Sequence, residues 1–342
     1  MSERFRVGLT RDILDARGEP AFGRAALEIL DRADGLDWEY LPSVVPAIDA
    51  DHAARYDAIY VNTARVPAPA VARADCRLRV VARHGVGYDS VDVPAMTRAG
   101  IVVTNTPSSM PRPVATTALT FLLALAGKLF LKDRLTRTGR WHERMENMGL
   151  GLTGRTLGVI GAGRIGRELL RMARTFDLKL LAADTHVNAI ELGYLGARKV
   201  ELETLLRESD FVVVCCLLDQ GTHHLIDASA LAQMRPEAYL INVARGPVVD
   251  EAALIEALRS GRIAGAALDV FEQEPVDPAN PLLAMDNVIV TPHSLCWTDE
   301  CFHNMASTGL QSIVDALGGR KPEFVVNPEA LNHARVRAWL GR

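Results

Sequence analysis

The chain has 342 residues, more than one ordinary hydrophobic core supports, and 49% of them are apolar, so two domains are expected. A net charge of −4 and a pI near 6.2 exclude the broad basic footprint of a nucleic-acid binder. The five cysteines (Cys76, Cys215, Cys216, Cys296, Cys301) form neither a CxxC pair nor a His-rich ligand set. That argues against a disulfide framework or a metal site and for a reducing cytoplasm.

MSERFRVGLT runs directly into a strand-like segment, without the basic-then-apolar layout of a secretory signal. RFRVGLT, a helical AALEILDRA, DWEYL, YDAIYVNT, LRVVARHG and IVVTNTP follow one another over the first hundred residues, which predicts a parallel sheet with crossover helices. The longest uncharged stretch, PVATTALTFLLALAG at 113–127, stops at Lys128, short of the ~20 residues of a bilayer span, and reads as a core helix with no membrane partner. In KDRLTRTGRWHERM, Arg134, Arg137, Arg140 and Arg144 recur at helical spacing with Trp141 alongside. Such a run is ordinarily a solvated face. The sharper expectation is a basic stripe on the arm of a dimer, with Trp141 or an arginine reaching the partner.

A second βα series begins at LGVIGAGRIGREL and continues through LKLLAADTH, FVVVCCLL, AYLINVA, IAGAALDV and NVIVTPH. The fold class is therefore α/β, with two doubly wound domains and ligands expected beyond the carboxyl ends of their strands. Gly161, Gly163 and Gly166 make a GxGxxG, a weak signal alone: GLGLTG at Gly149, Gly151 and Gly154 fits the same pattern. A phosphate-binding turn needs a buried strand before it and a helix after it, so that free amides and the positive end of the helix dipole meet a pyrophosphate. TLGVI precedes Gly161, and Ile165, Leu169, Leu170, Met172, Ala173 and Phe176 follow at helical spacing; RWHERMENM before Gly149 is no strand. Asp184 lies 18 residues past Gly166 (184 − 166), where a carboxylate can accept from an adenosine ribose. It also repels a 2′-phosphate, and Thr185 and His186 supply no arginine to receive one, so NAD is predicted over NADP.

Arg245 in INVARGP, Glu274 in DVFEQEP and His293 in VTPHS each stand just after a predicted strand of that sheet, on the edge that carries the glycine turn. Singly, each is an ordinary turn residue. Together they match what reduction of a 2-oxo acid requires: a cation for carboxylate and oxyanion, a proton donor near neutrality, and a carboxylate to hold that donor charged.

With RHGVGYDSVDV, GVIGAGRIG, INVARGPVVDEAAL, ALDVFEQEP and TPH, the chain resembles the NAD-dependent D-2-hydroxyacid dehydrogenases, which include phosphoglycerate dehydrogenases and hydroxypyruvate or glyoxylate reductases. The resemblance implies a Rossmann NAD-binding domain, residues 106–296, inserted in a flavodoxin-like substrate-binding domain of residues 1–105 and 297–342. It makes Arg245, Glu274 and His293 the catalytic trio and has Asp269 hold the nicotinamide carboxamide. It also sets Arg164, Ile165, Cys216, Leu217, Val243 and Ala244 along the dinucleotide. The main chain of Val86 and Gly87, with Arg245 and His293, would bind a small 2-hydroxy or 2-oxo acid, in a cytoplasmic homodimer. Cys215 and Leu217 depart from a common His and Pro, Ala115 to Ala118 from AEHT, and Ser294, Leu295, Cys296 and Trp297 from IGG. Trp297 could wall the substrate pocket or lie in the core. Arg83, His84 and Arg112 are candidates for a phosphate or second carboxylate on the substrate. Two other readings share the fold: a formate dehydrogenase, which pairs its His with Gln where Glu274 stands here, and an NAD-sensing corepressor-like binding module.

Overall fold

The computed structural model describes residues 4–341. They form two compact units, one running to Met110 and resuming at Trp297, the other Pro111–Cys296. Residues 106–110, expected with the second domain, pack in the first because Met110 lies against that unit's core, its sulfur 3.6 Å from Cys301 Sγ.

The first unit holds a five-stranded parallel sheet of β1 (Phe5–Leu9), β2 (Leu36–Tyr40), β3 (Ala58–Val61), β4 (Val80–Arg83) and β5 (Val102–Thr104). Its order, β2-β1-β3-β4-β5, is the flavodoxin-like one. Side chains alternate between faces. Tyr60, Val80, Ala82 and Val102 join one core with Met305, Leu310 and Ile313 of the Asp299–Leu317 helix, while Ile59, Val61, Val81 and Val103 join another with Leu78 and Met96. AALEILDRA is shorter than expected as a helix: a 3-10 turn, Arg24–Leu27, runs into one α turn, Glu28–Asp31, and β2 begins soon after the left-handed Gly35.

The second unit holds β6 (Thr156–Ile160), β7 (Lys179–Ala183), β8 (Ala197–Lys199), β9 (Phe211–Val214), β10 (Tyr239–Asn242), β11 (Gly265–Leu268) and β12 (Val288–Val290), all parallel. Read from β8, the order β8-β7-β6-β9-β10-β11 is the Rossmann arrangement, with β12 added at the far edge. Only β8 escapes the sequence reading, because a three-residue ARK carries no hydrophobic run. The Pro111–Gly127 helix buries Val114, Leu119, Phe121 and Leu122 in this unit and packs against the Arg164–Ala173 helix. No single helix among the described residues is long and apolar enough to cross a membrane.

The basic stripe does not form. The Leu129–Arg137 helix stops before the left-handed Gly139, and a separate 3-10 turn covers Trp141–Arg144, so the four arginines share no helical face. Arg134 pairs with Asp286 (2.6 Å), Arg137 with Asp133 (2.7 Å) and Arg140 with Glu143 (2.5 Å), while Arg144 lies over the Trp141 ring.

Candidate active site

Between β6 and the Arg164–Ala173 helix the chain turns through Gly161 at φ +89°. A Cβ there would lie 2.6 Å from the Cys216 backbone, and one on Gly166 would lie 2.1 Å from the Gly161 carbonyl, so both positions exclude a side chain. Gly163 instead faces open space, and no side chain caps the helix that follows. Its first amides are left for an anion. Asp184, just after β7, accepts from the Ala162 amide (2.7 Å) through Oδ2 and from the His186 and Val187 amides (2.7 and 2.8 Å) through Oδ1. Burial pushes its carboxyl up, but the three amides outweigh that and hold it below its ordinary value. An open glycine, unclaimed helical amides and an anionic carboxylate fit the pyrophosphate and ribose of a dinucleotide. Around them Arg164 is exposed and Ile165 half-buried; Cys216 is half-buried, Leu217 75% exposed, and Val243 and Ala244 buried.

Arg245, Glu274 and His293 come together at the carboxyl edge of the same sheet. Buried Asn242, at the end of β10, accepts from the Ala244 amide through Oδ1 and donates through Nδ2 to the Arg245 carbonyl, both at 3.0 Å, which shapes the turn that presents Arg245. A Cβ on Gly246 would lie 1.9 Å from the Phe271 carbonyl, so the loops after β10 and β11 are in backbone contact. Glu274 accepts from the Phe271 amide (3.0 Å) through Oε1, while Oε2 lies 2.7 Å from His293 Nδ1. Burial pushes the Glu274 carboxyl up, but the His293 hydrogen bond, the Phe271 amide and the charges of His293 and Arg245 prevail and hold it low. His293 follows β12 in the left-handed region at φ +54°. With Nδ1 on Glu274, its Nε2 bonds nothing among the described residues, and the side chain is 42% exposed.

A family profile, "D-isomer specific 2-hydroxyacid dehydrogenase, NAD binding domain", matches residues 119–294. The chain belongs to the D-2-hydroxyacid dehydrogenase family. It is 40% identical over 258 residues to the glyoxylate reductase of Korarchaeum cryptofilum, spanning 75% of this chain and 78% of that one. To the glyoxylate reductase of Aeropyrum pernix it is 35% identical over 336 residues, 96% of this chain and 98% of that one. Its fold matches that of the D-lactate dehydrogenase with NAD+ from Lactobacillus jensenii with a TM-score of 0.78 at 27% identity, over 94% and 99% of the two chains. The protein is thus an NAD-dependent D-2-hydroxyacid dehydrogenase.

In this dehydrogenase Asp269 does something the sequence reading missed. It is buried after β11, and its Oδ1 accepts from the Thr291 hydroxyl (2.6 Å) and the Ser294 and Leu295 amides (3.1 and 3.3 Å), pinning the loop on both sides of His293. Burial raises its carboxyl against those bonds. Asn242, Gly246 and Thr291 are the other supporting residues missed; an Asn ending a strand before a tight turn is the one signal that could have exposed the first.

In the first unit, Thr106 brackets Gly85, donating its amide to the Gly85 carbonyl and accepting from the Gly85 amide through Oγ1, both at 3.0 Å, and Asn105 donates to the Val86 carbonyl (2.8 Å). The amides of Val86 and Gly87 donate to no partner among the described residues. His84 is not the anion binder considered above: it is 1% exposed, hydrogen-bonded to the Tyr60 hydroxyl and packed edge-on against Phe302, and burial with the Arg83 charge pushes its imidazole down to about 3, so it is neutral. Arg112 is exposed and pairs with Glu168 at 3.1 Å. Arg83 folds its guanidinium over Gly85. Trp297 is half exposed and packs on Phe302, so it is not a core tryptophan.

Proposed function

We propose that this dehydrogenase interconverts a small D-2-hydroxy acid and its 2-oxo acid with His293 as proton donor and acceptor. The bond from His293 to Glu274 carries the reading, because it fixes the ring through Nδ1 and leaves Nε2 to exchange a proton with the substrate oxygen. NAD, when bound, supplies the two-electron partner, a hydride that joins or leaves the substrate's C2. Gly161, Gly163, Arg164, Ile165 and Gly166 would hold its pyrophosphate, Asp184 its ribose, Asp269 its carboxamide, with Cys216, Leu217, Val243 and Ala244 alongside. In reduction, His293 Nε2 donates its proton to the carbonyl oxygen, and the Glu274 carboxylate offsets the charge of the imidazolium. Arg245 offers a guanidinium to the substrate carboxylate and to the developing oxyanion. In oxidation, neutral His293 takes the hydroxyl proton. The bracketed loop with two unclaimed amides supports Val86 and Gly87 as carboxylate donors and the first unit, which runs to Met110 and resumes at Trp297, as the substrate domain.

Glyoxylate heads the candidate substrates because the relatives cited above are glyoxylate reductases. Exposed Leu129, Phe130, Met145 and Met148 beside Trp141 support a homodimer formed by the second unit, and five free cysteines support a cytoplasmic setting. The test is NADH oxidation against glyoxylate, hydroxypyruvate, pyruvate, phenylpyruvate and 3-phosphohydroxypyruvate. Turnover of at least one is expected; tight NADH binding with turnover of none would favour an NAD-sensing module instead.

A further inference from the structure

Two side chains from different elements hold the glycine turn at Ala162. Asp184 takes the Ala162 amide at 2.7 Å, and Arg167, in the first turn of the Arg164–Ala173 helix, donates through Nε to the Ala162 carbonyl at 3.0 Å. The same guanidinium places Nη2 2.6 Å from Glu191 Oε2. Glu191 is itself held: its Oε1 accepts from Asn188 Nδ2 (2.8 Å), and its amide donates to Asn188 Oδ1 (2.9 Å). An arginine one residue's backbone away from the ribose acid is the kind of group that receives a 2′-phosphate in NADP-binding sites.

We infer that Glu191 is a cofactor-specificity residue, which by holding Arg167 withholds that guanidinium from a 2′-phosphate and adds a second negative charge to the one on Asp184. The inference rests on the reading that Asp184 meets the adenosine ribose. NADP is then rejected by two carboxylates, Asp184 in the loop after β7 and Glu191 in the short Ala189–Tyr194 helix that follows it, and the arginine that could accept it is already present but engaged. Both partners are partly exposed, 44% and 43%, so the pair contributes little to folding and its loss leaves the fold intact.

Nicotinamide fluorescence, which needs no turnover, gives Kd values for NADH and NADPH with wild type, E191Q, E191Q/R167Q and D184A. In E191Q, NADPH should bind about five-fold tighter, with NADH changed less than about two-fold, and the gain should shrink in high salt. The double variant should lose the gain, since the freed guanidinium is its source. An unchanged NADPH Kd in E191Q, or a gain that survives loss of Arg167, overturns the inference. If D184A leaves both affinities unchanged, the ribose assignment itself has failed and the inference falls with it, an outcome distinguishable from failure of Glu191 alone.

Discussion

At the scale of single residues, the decisive contrast is between two histidines. His293 is partly exposed, tied at one nitrogen to a carboxylate and open at the other, whereas His84 is sealed among Tyr60, Phe22 and Phe302. His293→Ala should therefore lower turnover by about 10²–10⁴ with the NADH Kd nearly unchanged, as stopped-flow kinetics and fluorescence titration would show; a variant keeping most of its rate would refute the assigned proton donor. Glu274→Gln keeps the hydrogen bond but loses the charge that offsets the imidazolium, so it should reduce kcat by a smaller factor and move the pH–rate profile. His84 makes its own prediction through linkage. Its folded-state value is near 3, against 6.5 for an ordinary histidine, so between those limits the unfolded chain binds the extra proton and stability falls as pH drops. Urea unfolding at pH 7, 6 and 5 should show a loss approaching about 1.4 kcal/mol per pH unit below 6.5, and His84→Gln should remove that slope.

At the scale of elements, glycines separate packing from binding. Gly166 lies where the helix presses on the turn, with the Gly161 carbonyl 2.1 Å from any added Cβ, while Gly163 meets nothing within 4 Å. Gly166→Ala should force helix and strand apart, cost about 1–3 kcal/mol in denaturant unfolding and weaken NADH together with the fold. Gly163→Ala should cost under about 1 kcal/mol in the fold, yet still weaken NADH because the new methyl group occupies the space over the helical amides. Equal unfolding losses in the two variants would contradict this division. The same logic places Gly246 between the loops after β10 and β11, where backbone meets backbone and Arg245 and Glu274 are brought onto one edge.

At the scale of the whole molecule, the second unit carries a run of uncovered apolar side chains, Leu129, Phe130, Trp141, Met145 and Met148, on a segment whose arginines are already paired within the chain. Burial in a second copy gives such a surface its simplest solvent-free state. Sedimentation should give a mass near twice 37.2 kDa, and Phe130→Glu with Met148→Glu should halve it. A wild-type protein sedimenting at 37.2 kDa would remove the homodimer.

Much of this protein was legible in its residues because parallel sheets, glycine turns and strand-end side chains leave local marks. The buried runs before Gly161 and Arg245, the glycine spacing and the acid at 184 are consequences of period and sterics within a few residues, and they carried both fold class and cofactor. What needed the tertiary structure was every relation between distant segments: that Asp269 grips the loop around His293, that Glu191 holds Arg167, that His84 is sealed in a core, and that the arginines of 134–144 fail to line up. Those outcomes depend on burial and on which loops share a sheet edge, and a linear pattern of residues encodes neither until the chain has packed.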